Sequence, residues 1–146
     1  MNSDLKFNVD GSALGKPGPA RIGGVLRDSK GKVLCMFSFY VGVQDSNTAE
    51  LMAIHKAVDL YCSSITCMGR NLEISRDSMV AVSWINRKGI GCVKYVNLIY
   101  DIRSKLQKVG GAVRFFSRSS NHFADRLVKS GSSKSGDCVE WGDTNY

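Results

Sequence analysis

At 146 residues, 43% of them hydrophobic and 23% charged, the chain is sized for one globular domain that buries about two thirds of its unfolded surface, so neither disulfides nor a structural metal is required. No run approaches the roughly 18 apolar residues of a membrane span, and residues 1–4 lack the basic-then-apolar start of a signal peptide; an intracellular protein with no membrane partner is expected, nucleus or cytoplasm left open. The net charge of +7 is concentrated, with thirteen Lys or Arg against four acids in residues 70–134, seven against six in residues 1–69, and three acids alone in residues 135–146; a basic half of this kind fits a polyanionic partner, nucleic acid first and an anionic membrane surface second, or else a merely solvated surface.

In chain order, Leu5, Phe7 and Val9 alternate with Lys6, Asn8 and Asp10, the period of a strand with one packed face, and the run is predicted to stop at Gly11. A carboxylate at that strand end has two explanations: Asp-Gly is a strong turn dipeptide, and an aspartate on an apolar strand serves function better than folding. Residues 13–19, rich in Gly and Pro, form a connection. Residues 20–27 and 33–41 are predicted strands on either side of a hairpin-type turn at 28–32, which makes an antiparallel meander of three.

The pattern then changes. Asp45-Ser46-Asn47-Thr48 is a cluster of N-cap candidates, followed by Glu50 in what is expected to be the first helical turn and by Leu51, Ile54, Val58 and Tyr61 at helical spacing. Residues 71–75 form a fourth strand, Asp77-Ser78 opens a helix through Val80, Val82, Trp84 and Ile85, and residues 93–109 form an amphipathic helix with Val96, Ile99, Ile102 and Leu106 on one face. A fifth strand at 112–116 and a last helix from near Ser120 to Gly131 complete a single domain over 1–131, and residues 132–146, poor in apolar side chains, are expected to be a flexible tail. This order implies an α/β protein with a five-stranded mixed sheet, strands 4 and 5 brought parallel to strand 1 by crossover helices.

Four carboxylates occupy comparable places: Asp10 at the end of strand 1, Glu50 in the first helix, Asp77 where strand 4 meets its helix, and Asp125 in the last helix. The five cysteines (35, 62, 67, 92, 138) include no C-x-x-C pair and support neither zinc nor a disulfide framework, and His55 and His122 suit core or surface roles better than metal binding. Trp84 and Phe115 suit core packing.

The segments Phe7-x-Val9-Asp10-Gly11-Ser12 with Gly15-x-Pro17-Gly18-Pro19, then Asn47-Thr48-Ala49-Glu50-Leu51, then Asp77-Ser78, and finally Asn121-x-x-Ala124-Asp125-x-Leu127 resemble type 1 ribonuclease H. The resemblance is greatest to the domains of plants and non-LTR retroelements, whose final loop carries an Arg-x-x-Asn pattern matched by Arg118 to Asn121. It covers residues 5–131 in order. It implies a ribonuclease H-like three-layer fold with about four helices, and a metal-dependent endonuclease that hydrolyses the RNA strand of RNA–DNA hybrids to 5′-phosphate and 3′-hydroxyl ends.

Carried over by position, the catalytic and metal-binding carboxylates are Asp10, Glu50, Asp77 and Asp125. They would hold two Mg²⁺ ions, or Mn²⁺, whose charge offsets the mutual repulsion of clustered acids. Arg118 is the candidate for the supporting role that a histidine fills in bacterial relatives, against a simple phosphate contact or surface charge. The matching substrate contacts are Gly11, Ser12, Lys16, Ser46, Asn47 and Met79; Lys16 and Met79 replace frequent amides, and Lys16 is also a candidate phosphate contact.

Further departures are Arg76 beside Asp77 and the short 87–93 join in place of a basic insertion, which implies modest hybrid affinity without a partner domain. A monomer is expected, whether alone or as one domain of a larger polyprotein. The alternative reading is a catalytically weak or silent ribonuclease H-like module, retroelement-derived, that binds nucleic acid or a protein partner.

Overall fold

The computed structural model describes residues 5–15, 17–64, 67, 70–76, 96–107, 113–117 and 137–142. Strands β1 (Leu5–Ala13), β2 (Gly18–Arg27) and β3 (Val33–Gln44) are followed by helix α1 (Ser46–Ser63), β4 (Leu72–Arg76), helix α2 (Val96–Gln107), β5 (Val113–Ser117) and β6 (Cys138–Trp141). The sheet order is β5-β4-β1-β2-β3-β6. The first three strands form the expected antiparallel meander, β4 runs parallel to β1, and β5 runs parallel to β4. Among the described residues no helix is long and apolar enough to cross a membrane.

The core lies where the alternation of β1 meets the apolar face of α1. Leu5, Phe7 and Val9 are fully buried, together with Leu51, Ile54, Ala57 and Val58 of α1. The Phe7 and Phe37 rings meet edge-on, with centroids 5.8 Å apart. Helix α2 adds Ile99 and Ile102 to the same cluster. Hence α1 and α2 lie over one face of the sheet, and the pleat turns Asn8, Asp10 and Ser12 toward the other.

Element boundaries differ from expectation, most tellingly at the end of β1. Strand β1 does not stop at Gly11, because its ladder with β2 continues through Ser12 opposite Arg21 and Ala13 opposite Ala20. The ladder is closed by the Leu14 N–H donating to the Pro19 carbonyl at 2.8 Å, with Gly15 supplying the turn at φ 115°. The Asp-Gly turn signal is thus outweighed by strand pairing, and the chain turns beyond Ala13, at Leu14 and Gly15.

Among the described residues the sheet also has six strands where five were expected. Part of the segment expected to be a flexible tail, Cys138–Trp141, is β6, paired antiparallel with β3. All four β6 residues are exposed, so main-chain pairing with the edge of β3, not burial of its side chains, holds this strand. The helix expected from Asp77 and the one expected from Ser120 lie outside the described residues.

Candidate functional site

Asp10 lies within β1, at the point where the two sides of the strand diverge. On one side it is level with Gly23 of β2, and on the other the described pairing with β4 ends at Asn8 opposite Ser75. The residue is 6% exposed, and its Oδ1 accepts the Gly11 N–H at 3.0 Å. A carboxylate this deep needs partners, and the Gly11 amide is one of them.

Gly11 is where strand and helix touch. A Cβ there would lie 2.4 Å from the carbonyl oxygen of Ala49 and 2.7 Å from the amide nitrogen of Glu50. Only a residue without a side chain allows this approach, which sets the backbone next to Asp10 directly against the backbone of Glu50.

Helix α1 is fixed at its start by Asp45, whose Oδ1 accepts both the backbone N–H and the hydroxyl of Thr48 at 2.7 Å. Ser46 and Asn47 are therefore exposed in the first turn, and Glu50, half-buried, is the fifth helical residue, just past the turn in which it was expected. Of the residues singled out from sequence, Asp10, Gly11, Ser12, Ser46, Asn47 and Glu50 are described, and the β1–α1 contact brings the Gly11 backbone against that of Glu50. Lys16, Asp77, Met79, Arg118 and Asp125 lie outside the described residues; β4 is described to Arg76, immediately before Asp77 in the chain. Among the described residues no group of three or more His, Cys, Asp or Glu is placed to hold a metal ion.

His55 stands apart from this site. Its Nε2 pairs with Asp101 of α2, and Lys105 Nζ joins Asp59 at 2.8 Å and Asp101 at 3.0 Å, an ion-pair network that clasps the two helices together. Hydrogen bonds from His55 and then Lys105 hold the Asp101 carboxyl below its ordinary value, while Asp59 and then Asp101 raise Lys105.

Sequence inspection missed Arg21. It is a cation only 5% exposed, set on β2 directly opposite Ser12 and therefore on the sheet face of Asp10. The available signal was a charged residue inside a strand otherwise made of Ala20, Ile22, Val25 and Leu26.

The family model described as reverse transcriptase-like matches residues 8–131. No match is found among curated proteins. LC11-RNase H1, isolated from compost by a metagenomic approach, is 29% identical, with a TM-score of 0.78 over 92% of this chain and 98% of that one. LC11-RNase H1 in complex with an RNA/DNA hybrid is similar at 27% identity and a TM-score of 0.75, covering 87% of this chain and 95% of that one. RNase H1 from the halophilic archaeon Halobacterium salinarum, 20% identical, shares the fold with a TM-score of 0.77 over 89% of this chain and 98% of that one. This chain belongs to the reverse transcriptase-like family and has the type 1 ribonuclease H fold.

Proposed function

We propose that the protein is a metal-dependent endonuclease that hydrolyses the RNA strand of RNA–DNA hybrids, leaving 5′-phosphate and 3′-hydroxyl ends. The observation that carries this reading is the approach of β1 to α1 at Gly11, which joins the strand that carries Asp10 to the helix that carries Glu50 in a basic protein. The likeness to LC11-RNase H1, whose structure includes a bound RNA/DNA hybrid, supports the substrate class.

The donor set fits a hard divalent cation. Asp10 and Glu50 offer carboxylate oxygens, the ligands that suit Mg²⁺ or Mn²⁺, and Asp77 and Asp125 would complete the set. Two such ions, when bound, polarise the attacking water and neutralise the leaving oxygen. The chain's own part is positional. The Gly11 amide orients the Asp10 carboxylate, the Asp45 cap fixes the helix that carries Glu50, and Ser12, Ser46 and Asn47 offer hydroxyl and amide groups to the sugar–phosphate backbone. The 2′-hydroxyls of the RNA strand are the groups by which a protein distinguishes RNA from DNA.

The test is cleavage of an end-labelled hybrid beside single-stranded and double-stranded RNA of the same sequence, with Mg²⁺ or Mn²⁺ added. Hybrid should be cut first, EDTA should abolish cutting, and Asp10→Asn should lower the rate about a thousandfold while leaving the fold intact. Full activity in Asp10→Asn, or preference for either RNA over the hybrid, overturns the reading.

A further inference from the structure

The acids of residues 135–146 stand apart in a chain of net charge +7, and one of them is tied to the sheet. Asp137, just before β6, accepts the Tyr40 N–H on its Oδ1 at 2.6 Å, and the same oxygen takes Nη2 of Arg21 at 3.4 Å. Tyr40 is the partner of Arg21 across the β2–β3 ladder, and the guanidinium lies 6.0 Å from the centre of its ring. The Arg21 side chain is 6% exposed and that of Asp137 is 43% exposed, so the carboxylate is the solvent-facing half of the pair.

The position of Arg21 gives this pair its meaning. The β1–β2 ladder sets Arg21 opposite Ser12 and Gly23 opposite Asp10. Arg21 is therefore the diagonal neighbour of Asp10 on one sheet face, at the about 7 Å typical of such pairs, and it directly faces a residue proposed to meet the substrate backbone. A guanidinium binds carboxylate and phosphate oxygens with the same donors. The element that brings the carboxylate is lightly held: all of β6 is exposed, and at its far end the Gly142 N–H donates to the Leu34 carbonyl at 2.6 Å. A strand held by main-chain bonds with so little buried surface belongs to the part of a protein that opens at low cost.

We propose that Arg21 is a phosphate-binding residue for nucleic acid, and that Asp137 is an internal anion that occupies it, making β6 an autoinhibitory strap which a backbone phosphate must displace. This rests on the nucleic-acid reading of the site. Ser12 and Arg21 then form one binding surface, and the C-terminal acids tune its affinity.

The experiment measures binding of a fluorescent RNA–DNA hybrid by anisotropy over a range of salt, in an Asp10→Asn background so that hybrid is not consumed. Asp137→Asn keeps an oxygen for the Tyr40 N–H and removes the charge that neutralises Arg21. It should bind hybrid about fivefold tighter at low salt, with a log–log salt slope steeper by about 0.9, the signature of one added phosphate contact. Adding Arg21→Met should reverse both changes. Unchanged affinity and slope in Asp137→Asn, or a gain that survives Arg21→Met, overturns the strap and leaves the nuclease reading standing. Absence of hybrid binding in every protein, the Asp10→Asn parent included, overturns the nucleic-acid reading itself. Should Arg21→Met fail to fold, Asp137→Asn alone decides, because its affinity and slope are read on an intact sheet.

Discussion

A methyl group added at Gly11 would meet backbone on every near side: the carbonyl oxygen of Ala49 at 2.4 Å, its carbon at 2.5 Å, and the nitrogen of Glu50 at 2.7 Å. Gly24 is also crowded, but there the obstacles are the Phe37 ring and a Val9 methyl, which can turn aside. At Gly11 the helix or the strand itself must move. Gly11→Ala is therefore expected to cost about 1–3 kcal/mol in urea unfolding, as overpacked sites do. Hybrid cleavage, measured where the variant is fully folded, should fall about a hundredfold, because displacing Glu50 from Asp10 by part of an ångström disturbs the reacting geometry. Wild-type cleavage by folded Gly11→Ala would show that this contact does not set the site. The place of Asp10 on an apolar strand was legible from the alternation around it. The role of Gly11 was not, because a close approach between elements forty residues apart leaves no local trace, and Asp-Gly reads equally well as a turn.

Between elements, the clasp joining α1 to α2 is made of groups that titrate. Asp101 is held below its ordinary 3.8 by His55 and Lys105, so its contribution to stability is present above that value and is lost as pH falls through the depressed one. Lys105 is raised above 10.5 by Asp59 and Asp101, so its contribution is present below that value and is lost as pH rises through the raised one. Between these two limits the Asp101 carboxylate and the Lys105 ammonium are both charged. Asp101→Asn is expected to melt below wild type near neutrality, and the two melting curves should converge as pH falls through the depressed value, where the wild-type carboxylate also takes up its proton. A gap that persists unchanged at acid pH would mean that Asp101 acts through packing instead of charge. Helix α1 was legible because its cap, Asp45 with Thr48, and its apolar spacing are both local signals. Strand β6 was not: Cys138-Val139-Glu140-Trp141 is short and exposed, and it exists because the edge of β3 is there to receive it.

Across the whole molecule, the order β5-β4-β1-β2-β3-β6 places the last two strands of the chain at opposite edges of one sheet. The inner order was legible from a meander followed by strands that alternate with helices, since short turns force antiparallel neighbours and crossovers force parallel ones. The outer edge β3–β6 depends on pairing between residues about a hundred apart, and two thiols on either side of that pairing report how it comes undone. Cys138 opens β6 and is exposed, whereas Cys35 on β3, paired with Trp141, is fully buried. Burial first, and then the neighbouring Cys67, pushes the Cys35 thiol up to about 12, and burial likewise raises Cys67. At mildly alkaline pH the Cys35 thiol therefore keeps its proton, and in the closed sheet it has no access to reagent. With an aromatic disulfide reagent and peptide mass mapping, Cys138 should label at once in the native protein, while Cys35 and Cys67 label together at the rate of global unfolding. Asp137→Asn should leave that order unchanged, since the release of β6 uncovers the edge of β3 but not the core beneath it. Labelling of Cys35 that accelerates in Asp137→Asn while Cys67 stays protected would instead mean that β3 opens along with its strap, and that the sheet edge, not the C-terminal segment alone, is the mobile unit.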